Sequence, residues 1–282
     1  MVSLSPSATA NDRRAERHDL AEAFGAVRSR VGLVALLLLL AAAAWWLTAQ
    51  QMAGMDDGPG TDLGTLGWFL GVWVVMMAAM MFPSLAPTTA LYARMTRRRG
   101  WSRPLLFTGA YLVVWGTAGL LAYAVFRLGR ASLGGDLAWG AGGRWVAGGV
   151  LAVAAIYELT PLKNVCLGKC RSPLGFLLGT WRDGKRGALE MGSRHAAWCL
   201  GCCWALMAGL FALGVMSLTW MALVAALIAL EKTVPWRRLA TWATAGVLIA
   251  LAVAVVATPG DVPGLVVPGG ASHAMHSMSA MP

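Results

Sequence analysis

Charge is what this sequence has least of. Only 13% of its 282 residues are Asp, Glu, Lys or Arg, against about a quarter in soluble domains, and 58% are hydrophobic. That composition excludes an ordinary water-soluble globular fold. Histidine is scarce as well: the chain has only four, His18, His195, His273 and His276. No nucleophile stands beside a base, so hydrolytic catalysis has no support and an enzyme is the less expected class. The phosphate-binding pattern GxxxxGK[ST] is missing, and so is a phosphorylation loop of the cation-pump type, which excludes work driven by bound nucleotide. Cysteine occurs five times, an odd number that does not make a paired disulfide framework. Acidic residues number 13 against 23 basic ones, for a formal charge of +10.

What is present in quantity is apolar sequence. Runs of about 20 apolar residues cross a hydrocarbon layer of about 30 Å as helices. Seven such runs are expected: Val31–Gln50, Leu63–Phe82, Leu105–Arg127, Trp145–Leu159, Ala196–Leu213, Val215–Leu230 and Leu239–Ala257. The fold class is therefore all-α, a polytopic membrane helix bundle of about seven transmembrane helices spanning residues 31–257. Gly67 and Gly71 in the second run, with Gly116, Gly119, Gly148 and Gly149 in the next two, are small residues of the kind that let membrane helices approach closely.

The basic residues set the expected orientation. The first 30 residues carry five Lys or Arg, the segment after span two carries five, that after span four seven and that after span six three, which is 20 of the 23 on alternate sides. Only Arg127, Arg130 and Arg144 fall opposite, with the acidic loop Asp56, Asp57 and Asp62. By the positive-inside rule the N-terminus is cytoplasmic and the C-terminus periplasmic or extracellular. Topology thus accounts for the positive charge, and no nucleic-acid partner is expected. Residues 1–30 read as a basic cytoplasmic tail with an amphipathic stretch near Ala15–Val27, without a cleavable signal peptide. Residues 258–282 read as a flexible His/Met-rich outer tail. The expected location is the bacterial inner membrane.

The polar chemistry is mostly sulfur chemistry. Span two ends in Trp73–Ser84, where Met76 and Met80 share one helix face and Met77 and Met81 another, because residues four apart stack along the axis. After span four, Cys166 and Cys170 are spaced CxxxC beside Glu158, an intramembrane or boundary carboxylate and hence a functional candidate. Span five opens with Cys199, Cys202 and Cys203 at i, i+3 and i+4, with Met207 one turn further and His195 one turn before. The topology, derived without reference to sulfur, places all three clusters near the cytoplasmic leaflet. A second set lies outside: His273, Met275, His276 and Met278 on the tail, and Met52 and Met55 in the first outer loop. Glu231 and Lys232 read as an interfacial ion pair ending span six.

At these positions the sequence resembles an uncharacterised bacterial family of predicted metal-binding integral membrane proteins, a domain-of-unknown-function family. The matching segments are Trp73–Ser84, Tyr157–Pro173, Cys199–Met207, Gly214–Met221 and Glu231–Pro235, within roughly Trp68 to Arg238. The resemblance implies a metal-binding membrane protein.

Soft thiolate and thioether ligands select Cu(I). The expected function is binding of a soft transition metal, Cu(I), for transfer, transport or delivery, with partners that are the lipid bilayer, the ion, and a metallochaperone or metalloenzyme. Two other readings fit the cysteines. One is a membrane thiol–disulfide oxidoreductase, with Lys169, Arg171 and Arg194 activating thiols. The other is a scaffold subunit with a structural zinc site.

Overall fold

The computed structural model describes residues 31–52, 63–96, 100–133, 142–215, 217–262 and 265. The basic N-terminal tail, the loop containing Met55, Asp56, Asp57 and Asp62, and the tail residues His273, Met275, His276 and Met278 lie outside the described residues.

Among the described residues the chain forms nine α-helices and no strand. They are α1 (Val31–Met52), α2 (Leu66–Met95), α3 (Ser102–Leu133), α4 (Arg144–Glu158), α5 (Pro161–Arg171), α6 (Pro173–Thr180), α7 (Gly184–Leu213), α8 (Leu218–Thr233) and α9 (Arg237–Ala257). Five of these, α1, α2, α3, α7 and α9, are long and apolar enough to cross a membrane, and α4 with α5 makes a sixth if that bent pair counts as one span. Seven spans were expected, and the difference lies in two short helices. With 15 residues in α4 and 16 in α8, at about 1.5 Å per residue, each falls short of a hydrocarbon core of about 30 Å.

The chain divides into two compact units. The first contains Met1–Trp46, Trp73–Ala118 and Asn164–Cys202. Within it, α2 runs on through Pro83 and Pro87. Each proline lacks the N–H that would bond the carbonyl four residues back. Nearby hydroxyls bond other carbonyls of the same stretch: Ser84 donates to the Met81 carbonyl at 2.9 Å and Thr89 to that of Leu85 at 3.2 Å. Such side chains let membrane helices tolerate proline. The Trp73 indole N–H donates to the Trp115 carbonyl at 2.8 Å, tying α2 to α3. Gly192 of α7 lies directly against the backbone of Phe107 in α3, where any Cβ would overlap the carbonyl oxygen.

The second unit contains Leu47–Val72, Gly119–Lys163 and Cys203–Pro282. Here α9 packs along α4, with Gly148 beneath Val256. Phe69 meets Tyr123 with ring centroids 5.3 Å apart, and the Tyr123 hydroxyl donates to the Gly64 carbonyl at 3.0 Å.

The break between α4 and α5 follows from Thr160-Pro161. Proline fits the first position of a helix, where its missing N–H is not needed, and threonine is a good residue to precede it. The Thr160 hydroxyl donates to the Tyr157 carbonyl at 2.7 Å and accepts the Lys163 N–H at 3.3 Å, so one side chain closes α4 and opens α5. The two helices meet at 68°.

Thr160→Val removes both hydrogen bonds, and its expected cost is about 1 kcal/mol, the usual value of a lost N-terminal cap. Thr160→Ser keeps the hydroxyl and retains stability. Thermal unfolding in detergent checks this, and a Val variant as stable as wild type would contradict the capping role.

Candidate metal centre

In the first unit α5 and α7 bring three thiols together. The sulfurs of Cys170, Cys199 and Cys202 all lie within 4.8 Å of one another. Cys199 and Cys202 share a face of α7 because they are three residues apart, while Cys170 reaches them from the last turn of α5, its Sγ 3.7 Å from that of Cys202. An ion about 2.3 Å from each thiolate, the distance for zinc, separates its sulfur ligands by roughly 3.8 to 4.0 Å. The Cys170–Cys202 separation is near that length. Little rearrangement would be needed for both sulfurs to share one ion.

A thioether completes the group from a third helix. The Met81 Sδ of α2 stands 3.9 Å from the Cys199 Sγ. Met81 is fully buried, and Met76, Met77 and Met80 are likewise buried. Cys199 and Cys202 are each 1% exposed, whereas Cys170 is only part-buried. The centre therefore has two sheltered thiols and one nearer the surface.

The remaining polar contacts are short-range. The Cys202 thiol donates to the Cys199 carbonyl at 3.1 Å. The Tyr111 hydroxyl of α3, itself buried, is 3.1 Å from the Cys199 Sγ. Cys166 is buried, with its sulfur over Gly201 of α7, and a Cβ at that glycine would be 2.8 Å from the Cys166 Sγ.

His195 is on the same face of α7, one turn before Cys199, but it lies outside the three-thiol group. Its ring is walled in by aromatics, edge-on to Phe176 at 4.9 Å and 6.0 Å from both Phe107 and Tyr111.

Other sequence candidates fall in the second unit. Cys203 and Met207 are buried there. Glu158 is fully buried and bound to a lysine: Lys163 Nζ is 2.7 Å from its Oε2 and 2.8 Å from the Oε2 of Glu231. Glu231, expected at the interface beside Lys232, is buried and pairs with Lys163. Adjacent residues on a helix point in different directions, and Glu231 turns inward to Lys163 and is 1% exposed. The Tyr157 ring packs edge-on against Trp204 at 4.9 Å in the same unit.

Tyr111 is the site residue that sequence reasoning missed. A tyrosine in an apolar run carries no spacing relation to the cysteines, since Tyr111 and Cys199 are 88 residues apart. The Lys163 pairing with Glu231 was equally invisible, although a lysine between Thr160-Pro161 and the CxxxC segment was itself a signal.

A family model described as PpoB2, copper chaperone, matches residues 70–255, more than half of the chain. It includes every segment from Trp73 to Pro235 that carried the earlier resemblance. No curated protein matches the chain, and no solved structure does.

Lys163 offers a test of the buried ion pairs. Removing one partner of such a pair leaves an uncompensated charge and typically costs about 3–5 kcal/mol. Lys163→Met is expected to destabilise by that order. Adding Glu158→Gln and Glu231→Gln to Lys163→Met restores much of the loss. Unfolding midpoints in detergent for the single and triple variants check this, and a single variant of wild-type stability would show that the pairs carry no weight.

Proposed function

The chain belongs to the PpoB2 copper chaperone family, and from that premise we propose that it is a membrane protein that binds Cu(I) as cargo and hands it on. The observation that carries the proposal is the convergence of Cys170, Cys199 and Cys202 within 4.8 Å, with the Met81 sulfur 3.9 Å from Cys199. Thiolate and thioether together are soft donors, which favour Cu(I) over harder ions. A closed structural zinc site takes four ligands from Cys, His and carboxylates, whereas here the fourth nearby donor is a thioether.

The ligands proposed are the three thiolates, with Met81 as the weaker fourth. Each thiol gives up its proton as it takes the ion, so loading releases protons and delivery takes them up again. Cys170, the part-buried member, is the ligand that exchanges first with an incoming or departing carrier. Cys199 and Cys202 keep the ion out of water meanwhile. The buried methionines Met76, Met77 and Met80 extend soft donors along α2 from Met81 and serve as weak stations on the way to the thiols.

The proposed location is the bacterial inner membrane with the N-terminus inside, a reading supported by the distribution of basic residues. In that orientation the thiol centre faces the cytoplasmic leaflet, and the tail residues His273, Met275, His276 and Met278 capture metal on the outer side. The partner that gives or receives the ion is a metallochaperone or a metalloenzyme.

Anaerobic purification in detergent followed by metal analysis tests the proposal. Wild type is expected to hold one copper per chain when reconstituted with Cu(I), and Cys202→Ser to lose it. A chain ending before His273 retains it, since the outer tail is a separate site. Copper unaffected by Cys202→Ser would overturn the assignment. Stoichiometric zinc in its place would favour the structural-zinc reading, and no metal with a reversible Cys170–Cys202 disulfide would favour thiol exchange.

A further inference from the structure

We infer that Tyr111 is a positioning residue for the metal centre: its phenol holds the Cys199 sulfur as a hydrogen-bonded thiolate and so sets how tightly Cu(I) is kept. The inference rests on the copper reading of the three-thiol group and adds a residue from a helix that supplies none of its sulfurs.

The Tyr111 oxygen and the Cys199 sulfur are 3.1 Å apart, and the two residues are each 1% exposed. A buried phenol usually finds a polar partner, and α3 aims this one at a sulfur. While Cys199 is a thiol, either atom can supply the proton between them. Once the thiol is deprotonated to bind a metal, the sulfur has no proton to give and the phenol alone can donate. The contact then becomes a hydrogen bond to an anion, of the stronger, charge-assisted kind.

The contact therefore strengthens on loading. An interaction stronger in one state than the other shifts the balance toward that state, so the phenol favours the metal-bound form. The neighbouring contacts change in a compatible way. The Met81 Sδ lies 3.9 Å from the Cys199 Sγ and is the acceptor open to the single thiol proton when the phenol is the donor in the Tyr111 contact. Loss of that proton leaves the Met81 lone pairs available to the ion.

The surroundings hold the phenol in place. The Tyr111 ring lies 6.0 Å from the His195 ring, and His195 is held in turn by Phe176 and Phe107. His195 is thus given a role without being a ligand: it supports the ring that supports Cys199. Outer partners that orient metal ligands typically change affinity by about 10–100-fold when removed.

The experiment is anaerobic competition for Cu(I) against a colorimetric Cu(I) chelator, with full-length protein in detergent, comparing wild type with Tyr111→Phe. The expected result is Cu(I) binding weakened by about 10–100-fold, with one copper still bound at saturation and the metal-free unfolding midpoint unchanged. A second readout follows the phenol directly. Loading wild type perturbs the near-ultraviolet tyrosine absorption, and Tyr111→Phe loads without that change, which a purely packing role would not predict. Wild-type affinity in Tyr111→Phe, or a tyrosine band unmoved by loading, would overturn the inference while leaving the copper assignment standing. Absence of stoichiometric copper from wild type would instead remove the reading on which it rests.

Discussion

The hydroxyl of Thr160 is the small contact at which one helix closes and the next opens. It accepts the Lys163 N–H while donating to the Tyr157 carbonyl, so the chain leaves one helix and enters the next without abandoning backbone groups. The hydrocarbon of a bilayer would make that economy compulsory, since it holds no water to receive a stray N–H or C=O. The 68° change of direction turns an apolar helix into a short polar one. That short helix, α5, carries Cys170 to the sulfurs of α7.

Charge and softness are kept apart along α5. Near its start, Lys163 is bonded to Glu158 and Glu231 with none of the three charged groups reaching solvent. Near its end, Cys170 joins a group without a carboxylate. Oxygen donors suit hard cations and thiolates suit soft ones, so this division matches each set of side chains to a different task. The lysine engages the carboxylates, and the sulfurs are left for a soft ion. Burying such ion pairs is costly unless their geometry is good; here Lys163 Nζ donates to Glu158 Oε1 at 2.8 Å and lies 2.8 Å from Glu231 Oε2.

Much of the helical layout was legible in the sequence, because a long apolar run in this composition has few alternatives. The first and last helices, Val31–Met52 and Arg237–Ala257, differ from the expected runs by two residues at one end. The middle was less legible where polar helix adjoins apolar span. The helix α7 begins at Gly184, 12 residues before the expected start at Ala196, since Arg/Glu sequence can be helical without being apolar. Glu190 and Arg194, four apart, pair at 2.8 Å there. The helix α2 continues through Pro83 and Pro87 to Met95, 13 residues beyond the expected end at Phe82. Hydropathy locates the part of a helix that lies in lipid and is silent about the rest. As for the centre, the spacing of Cys199 and Cys202 made their shared face predictable. The arrival of Cys170 and Met81 was expected only as a common depth, and Tyr111 and Glu231 came from parts of the chain with no local pattern linking them to their partners.

The bare position at Gly201 gives the two spacer residues between Cys199 and Cys202 unequal freedom to vary. Leu200 is part-exposed and can be exchanged for other apolar residues with little effect on its neighbours. At Gly201 any side chain must displace the sulfur of Cys166. An alanine Cβ at that site would lie 2.8 Å from the Cys166 Sγ, so that sulfur would have to shift. The glycine in CLGCC thus bears on where the Cys166 sulfur sits, although it offers no atom to a metal.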